Sequence, residues 1–192
     1  RHSVRCNIEA DSLNSALLLP GHAAGSEAVA LLAREVAREM TVKSGQKCTA
    51  IRRILVPQNL YDEVAQAIAA QLAKVTVGNP RNEAVRMGSL VSRAQYDTVQ
   101  QGLSQLLAHT TALYDGRANA LVDADPTIAA CAQPVLLGTQ DPDGCALVHD
   151  MEVFGPVATL MPYRDLEYAL ALAHRGQGSL VCSLYGEDAA AL

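Results

Sequence analysis

Lys43-Ser44-Gly45-Gln46-Lys47-Cys48-Thr49-Ala50-Ile51-Arg52-Arg53-Ile54-Leu55-Val56-Pro57 is the stretch on which the fold turns. A polar opening with a glycine reads as a loop over residues 43–49. The aliphatic run behind it, closed by proline, reads as a strand over residues 50–56. Upstream, Ser26 is a good N-cap, and Val29, Leu32, Val36 and Met40 recur at i, i+3, i+7 and i+11. That spacing predicts an amphipathic helix over residues 27–42. Downstream, Val64, Ile68, Leu72 and Val75 mark a second helix, stopped at Gly78-Asn79-Pro80.

The alternation continues in both directions. Residues 3–8 (Ser-Val-Arg-Cys-Asn-Ile) alternate as a half-buried strand does, and an apolar run follows at residues 13–20. Tyr96, Val99, Leu103 and Leu106 mark a third helix, residues 110–114 a short strand, and residues 116–134 show no regular period. Strands at residues 157–161 and 179–185 flank a helix at about residues 166–174. Helices alternating with short apolar strands predict an α/β fold, a mostly parallel sheet with helices on both faces. Both ends read as truncated. The chain opens without Met directly on a strand pattern, and Glu187-Asp188 begin a helix that Leu192 cuts off after about one turn.

With 192 residues, 49% of them hydrophobic, the chain can bury roughly 70% of its unfolded surface in one core. One domain is the expectation. A net charge of −5, spread along the chain, attracts neither phosphate backbones nor anionic lipid. One Phe, six Tyr and no Trp leave no stacking platform for single strands, so no nucleic acid is expected. No apolar run approaches the roughly 20 residues of a membrane helix, and none reads as a signal peptide. Five cysteines at irregular spacings, without a C-x-x-C pair, suit free thiols in a reducing cytoplasm. The five scattered histidines make no ligand pattern, so no metal is expected.

Three places could carry chemistry. Cys48 sits in the polar loop, where Gly45 allows close backbone approach and Lys43 and Lys47 would favour a thiolate. Most lone cysteines are simply small buried residues. Glu9 directly follows the strand at residues 3–8, the end at which α/β sheets tend to place functional groups, although a solvated loop acid fits as well. Glu152 and Phe154 lie two apart in Met151-Glu152-Val153-Phe154-Gly155-Pro156, so on an extended segment they project to one side. An ordinary turn with Phe154 as core is the plainer alternative.

Taken together, the acid after a strand, Gly-Gln-x-Cys before residues 50–57, and Glu-x-Phe-Gly-Pro before residues 157–163 resemble the aldehyde dehydrogenase superfamily. Cys48 lies 39 residues after Glu9 and 104 before Glu152, which fits that pattern. Val77-Gly78-Asn79-Pro80, Met87-Gly88-Ser89-Leu90-Val91 and Ser183-Leu184-Tyr185 match in order, so the likeness spans nearly the whole chain. Most members have Glu-Leu-Gly-Gly-Lys at the first motif. Glu9-Ala10-Asp11-Ser12-Leu13-Asn14 departs from it and is similar to the dehydrogenase half of the bifunctional ring-opening enzymes of bacterial phenylacetate breakdown.

The resemblance implies roles. Cys48 would attack the aldehyde and Glu9 would activate the water that hydrolyses the thioester. Glu152 would hold the nicotinamide ribose, with Phe154 near the ring. It implies NADP, or NAD, bound mainly by an N-terminal domain that this chain lacks, together with a C-terminal remainder. Gly176-Gln177-Gly178 is the one G-x-G and lacks the third glycine of a dinucleotide fingerprint. The implied substrate is an aldehyde, CoA-linked in this branch, and the implied assembly a homo-oligomer. Two other readings stay open: an acylating enzyme in which CoA takes the acyl group, against which Glu9 argues, and a catalytically silent scaffold.

Overall fold

The computed structural model describes residues 5–6 and 12–187. In chain order its strands are β1 (Ser15–Leu18), β2 (Arg53–Pro57), β3 (Thr111–Asp115), β4 (Val135–Gly138), β5 (Val157–Tyr163) and β6 (Cys182–Tyr185). Its α-helices are α1 (Glu27–Thr41), α2 (Tyr61–Leu72), α3 (Arg93–Leu107), α4 (Leu147–Asp150) and α5 (Leu166–Arg175). The strands form one sheet in the order β3-β4-β5-β2-β1-β6, parallel throughout except for β3 against β4. The α/β class and the mostly parallel sheet read from the sequence are therefore present.

Strand parity sorts the core into two layers. Ile54 and Val56 of β2, with Ala16, Leu18 and Leu160, face α1 and α2. Leu55, one residue out of phase, joins Leu17, Leu137 and Met161 beneath α3 and α5. Both faces of β2 are thus covered, which is why its three central residues, Ile54 to Val56, can be uniformly apolar. Helix α1 begins where expected, with Ser26 Oγ accepting the Val29 N–H at 3.4 Å. It ends at Thr41, because Lys43 and Ser44 turn to φ of 52° and 56°.

Some boundaries differ from expectation for identifiable reasons. Strand β2 starts at Arg53 and not at residue 50, because the N–H groups of Arg52 and Arg53 both donate to the Asn14 carbonyl at 3.1 Å as the chain enters the sheet. Strand β6 is shorter than residues 179–185 because the N–H groups of Leu180 and Val181 are taken by the Asn14 side chain. Helix α2 ends at Leu72, leaving Val75 beyond it. Strand β4 and the single turn α4 were not read at all: β4 is four fully buried residues directly after a proline, too short to show any period. Residues 116–134 hold no helix or named strand, in line with the sequence. They are pinned through Gly78, where a Cβ would lie within 1.9 Å of the Val122 carbonyl oxygen. Most of the strand expected at residues 3–8, and Glu9, lie outside the described residues.

Candidate active site

The described parts of the three motifs meet at the amino-terminal ends of β1, β2 and β5. Open α/β sheets more often place ligands at the carboxyl ends. Cys48 rides on a loop in which Lys43, Ser44 and Gly45 are consecutive left-handed residues, with φ of 52°, 56° and 72°. For two non-glycines that is a strained backbone, held only where the surroundings over-determine it. The surroundings here do so. Ser44 is buried and its hydroxyl donates to the Gly88 carbonyl at 2.9 Å. Gly45 lies so close to Gly155 that a Cβ would stand 2.3 Å from the Gly155 carbonyl oxygen. Gln46 closes the clamp, its Nε2 donating to the Phe154 carbonyl at 3.3 Å and its Oε1 accepting the Val91 N–H at 2.8 Å. Motifs at residues 43–48, 87–91 and 152–155 become one surface.

Asn14 ties this surface to the sheet. Its side chain is fully buried, with Nδ2 donating to the carbonyls of Cys48 at 2.8 Å and Ala50 at 3.0 Å. Its Oδ1 accepts the N–H groups of Leu180 at 2.9 Å and Val181 at 3.0 Å. Ser12 Oγ also donates to the Cys48 carbonyl. A buried amide that uses both donors and both lone pairs is costly to replace, since any substitute orphans several groups. The sequence reading quoted Ser12 and Asn14 within a motif and gave them no role. The available signal was an Asn leading an otherwise apolar run.

Glu152 and Phe154 share a neighbour that the sequence reading also passed over. Arg52 Nε donates to Glu152 Oε1 at 3.2 Å, while its two terminal nitrogens donate to the carbonyls of Gly155 and Gly45, each at 2.7 Å. The Ser12 N–H donates to Glu152 Oε2 at 3.0 Å. The guanidinium carbon also lies 5.5 Å from the centre of the Phe154 ring. Burial lowers the Arg52 pKa from the usual guanidinium value, and the Glu152 charge opposes that shift. Phe154 is not core: it is 37% exposed, at the edge of a cavity of about 920 Å³ that Lys43, Gln46, Arg86 and Gln95 also line.

Cys48 is solvent-exposed, and its backbone N–H has no acceptor among the described residues. The expectation that Lys47 favours its thiolate needs correcting: Lys47 Nζ lies 2.6 Å from Glu39, so its charge is already matched. His149, three residues before Glu152, belongs to a different network. Its Nδ1 accepts from Arg53 at 3.2 Å and its Nε2 donates to the Pro142 carbonyl at 3.0 Å, so it is no partner for Cys48. Among the described residues no three His, Cys, Asp or Glu side chains converge as metal ligands, and no helix is long and apolar enough to cross a membrane.

An exposed thiol with its own backbone N–H free among the described residues is an arrangement that suits nucleophilic attack on a carbonyl. Comparison with known proteins places the chain in a family. The chain is 50% identical over 191 residues to a 3,4-dehydroadipyl-CoA semialdehyde dehydrogenase of Aromatoleum evansii, which covers 99% of the chain and 37% of that relative's length. It superposes with a TM-score of 0.78 on a betaine aldehyde dehydrogenase of Staphylococcus aureus solved with NAD+, at 22% identity over 94% of the chain and 35% of the other. An aldehyde dehydrogenase of Mycobacterium tuberculosis solved with NAD+ gives 0.76, at 24% identity over 95% of the chain and 36% of the other. The pattern of the aldehyde dehydrogenase family matches residues 24–192. By motif, fold and sequence, this chain belongs to the aldehyde dehydrogenase family.

Proposed function

We propose that the chain is the thiol-bearing part of an enzyme that oxidises an aldehyde to its acid with a nicotinamide dinucleotide. The observation that carries this reading is the contact of Gly45 with Gly155, which seats the Cys48 loop on the Glu152-Phe154 turn although the two lie far apart in sequence. Because the chain spans 37% of the length of its Aromatoleum relative, the remaining length would supply most of the cofactor site. The name of that relative supports a CoA-linked semialdehyde as substrate, and five unpaired thiols suit a cytoplasmic enzyme.

In this reading the Cys48 thiolate attacks the aldehyde carbon, and its own N–H donates to the oxyanion that forms. The cofactor, when bound, accepts the hydride that converts the adduct to a thioester. Among the described residues each Glu152 oxygen takes one donor from the protein, which leaves acceptor capacity suited to a ribose hydroxyl. Phe154, partly exposed, lines the neighbouring cavity, where it suits a place near the nicotinamide ring. Glu9 takes the proton of the water that hydrolyses the thioester, releasing the acid and the Cys48 thiol, a general-base task worth typically 10²–10⁴-fold.

The test uses the whole enzyme, with the chain extended to its relatives' length. Cys48→Ser should abolish oxidation. Glu9→Gln should give one burst of reduced cofactor per active site and then stall, because only deacylation needs the base. Steady turnover by either variant refutes the assignment. An acyl-CoA product in place of free acid would move the enzyme to the acylating class.

A further inference from the structure

Arg52 has no role in the mechanism above, yet it is the residue on which two parts of the site converge. Its side chain is 3% exposed, and it binds Glu152 together with the carbonyls of Gly45 and Gly155. One planar guanidinium thus spans the Cys48 loop and the Glu-x-Phe-Gly-Pro turn, segments separated by about a hundred residues in the chain. Stability does not explain the arrangement. A buried ion pair is often matched or bettered by apolar residues of the same volume, since desolvation offsets most of the attraction.

We infer that Arg52 is a positioning residue: it holds the Glu152 carboxylate and the Cys48 loop in one frame, so that the cofactor ribose and the nucleophile are placed relative to each other. This rests on the proposed ribose role of Glu152. With one oxygen of Glu152 bonded to Arg52 and the other to the Ser12 N–H, the orientation of the carboxylate is fixed from both sides, which sets how its remaining acceptor capacity meets a hydroxyl. With Gly45 and Gly155 drawn to the same guanidinium, movement of the loop and movement of the turn become one movement.

Arg52→Met and Arg52→Lys in the whole enzyme separate this role from simple packing. The lysine keeps a charge for Glu152 but lacks the fork that reaches both carbonyls. Arg52→Met should raise the dissociation constant of NADPH or NADH, read by nucleotide fluorescence, at least tenfold. It should also change the rate at which iodoacetamide alkylates Cys48 in the cofactor-free enzyme at least fivefold. Arg52→Lys should recover most of the nucleotide affinity while kcat stays at least fivefold low. If Arg52→Met does not fold, the lysine variant decides alone, and wild-type kcat and KM in it overturn the inference. Nucleotide affinity and alkylation rate within twofold of wild type in Arg52→Met overturn it too. Glu152→Gln separates the two levels of argument: unchanged nucleotide affinity there defeats the ribose reading, whereas a loss there with none in Arg52→Met defeats only the role of Arg52.

Discussion

Arg52 and Arg53 are neighbours in sequence, both buried, and they live on opposite sides of the entry to β2. Arg52 meets a carboxylate and two loop carbonyls. Arg53 meets no anion among the described residues. It donates to the carbonyls of Leu13 at 2.9 Å, Leu172 at 2.7 Å and Ala173 at 2.9 Å, and to the neutral imidazole of His149. Burial lowers its pKa to about 10. Gly176, part of the G-x-G noted in the sequence, is there for space: a Cβ would lie 2.0 Å from an Arg53 terminal nitrogen. The difference teaches that a buried arginine in this domain can act in two ways. Arg52 ties the Cys48 loop to the Glu152 turn, and Arg53 satisfies the carbonyls at the end of α5 and before β1.

That contrast predicts for Arg53 a large effect on stability with none specific to the thiol. Arg53→Met orphans the buried carbonyls of Leu13 and Leu172 at about 1–3 kcal/mol each, so a loss of at least about 2 kcal/mol is expected, a drop in Tm of roughly 4 °C or more. An Arg53→Met protein as stable as wild type would break the comparison, because it would leave Arg53 without the structural role that sets it apart from Arg52.

On the Arg52 side the sharper probe is backbone. Gly45→Ala meets the Gly155 carbonyl and keeps a left-handed φ of 72°, so it should cost about 1–3 kcal/mol. It should also alter Cys48 alkylation more than Arg53→Met does. Equal effects of the two on the thiol would mean the sides are not separate.

The smallest effect is a pH dependence on the Arg53 side. Burial, reinforced by Arg175 and Arg53 and opposed by Asp150 and the Pro142 carbonyl, lowers His149 from 6.5 to about 4. Between those values the unfolded chain binds a proton that the folded chain refuses, so stability is intact above pH 6.5 and falls as pH drops toward 4. Between pH 7 and 5.5 the loss is about 1 kcal/mol. Urea titrations of wild type against His149→Gln should show that slope in the first alone, and equal slopes would take His149 out of the account.

Much of this molecule was legible in its residues. The helices α1, α3 and α5 and the strands β2, β3 and β5 follow from hydrophobic period and caps, because burial against a sheet imposes a period on any element long enough to show one. Strand β4 did not show, since four residues buried on both faces carry no period. Cys48 stands out as a candidate in one short motif, and Glu152 and Phe154 in another. Glu9, named in the same way, lies outside the described residues.

What the chain order could not supply is the relation between those motifs. Asn14 and Arg52 look like ordinary polar residues beside apolar runs, and Lys47 looks like a cation near a thiol. Only folding shows that Asn14 links Cys48 to the entry of β6, that Arg52 links Gly45 to Glu152, and that Glu39 has taken the charge of Lys47. Periodicity is a local property, so sequence determined the elements and the chemistry available on them. A hydrogen bond between residues a hundred positions apart exists only once two strands lie side by side, so the tertiary structure decided which of those groups act together.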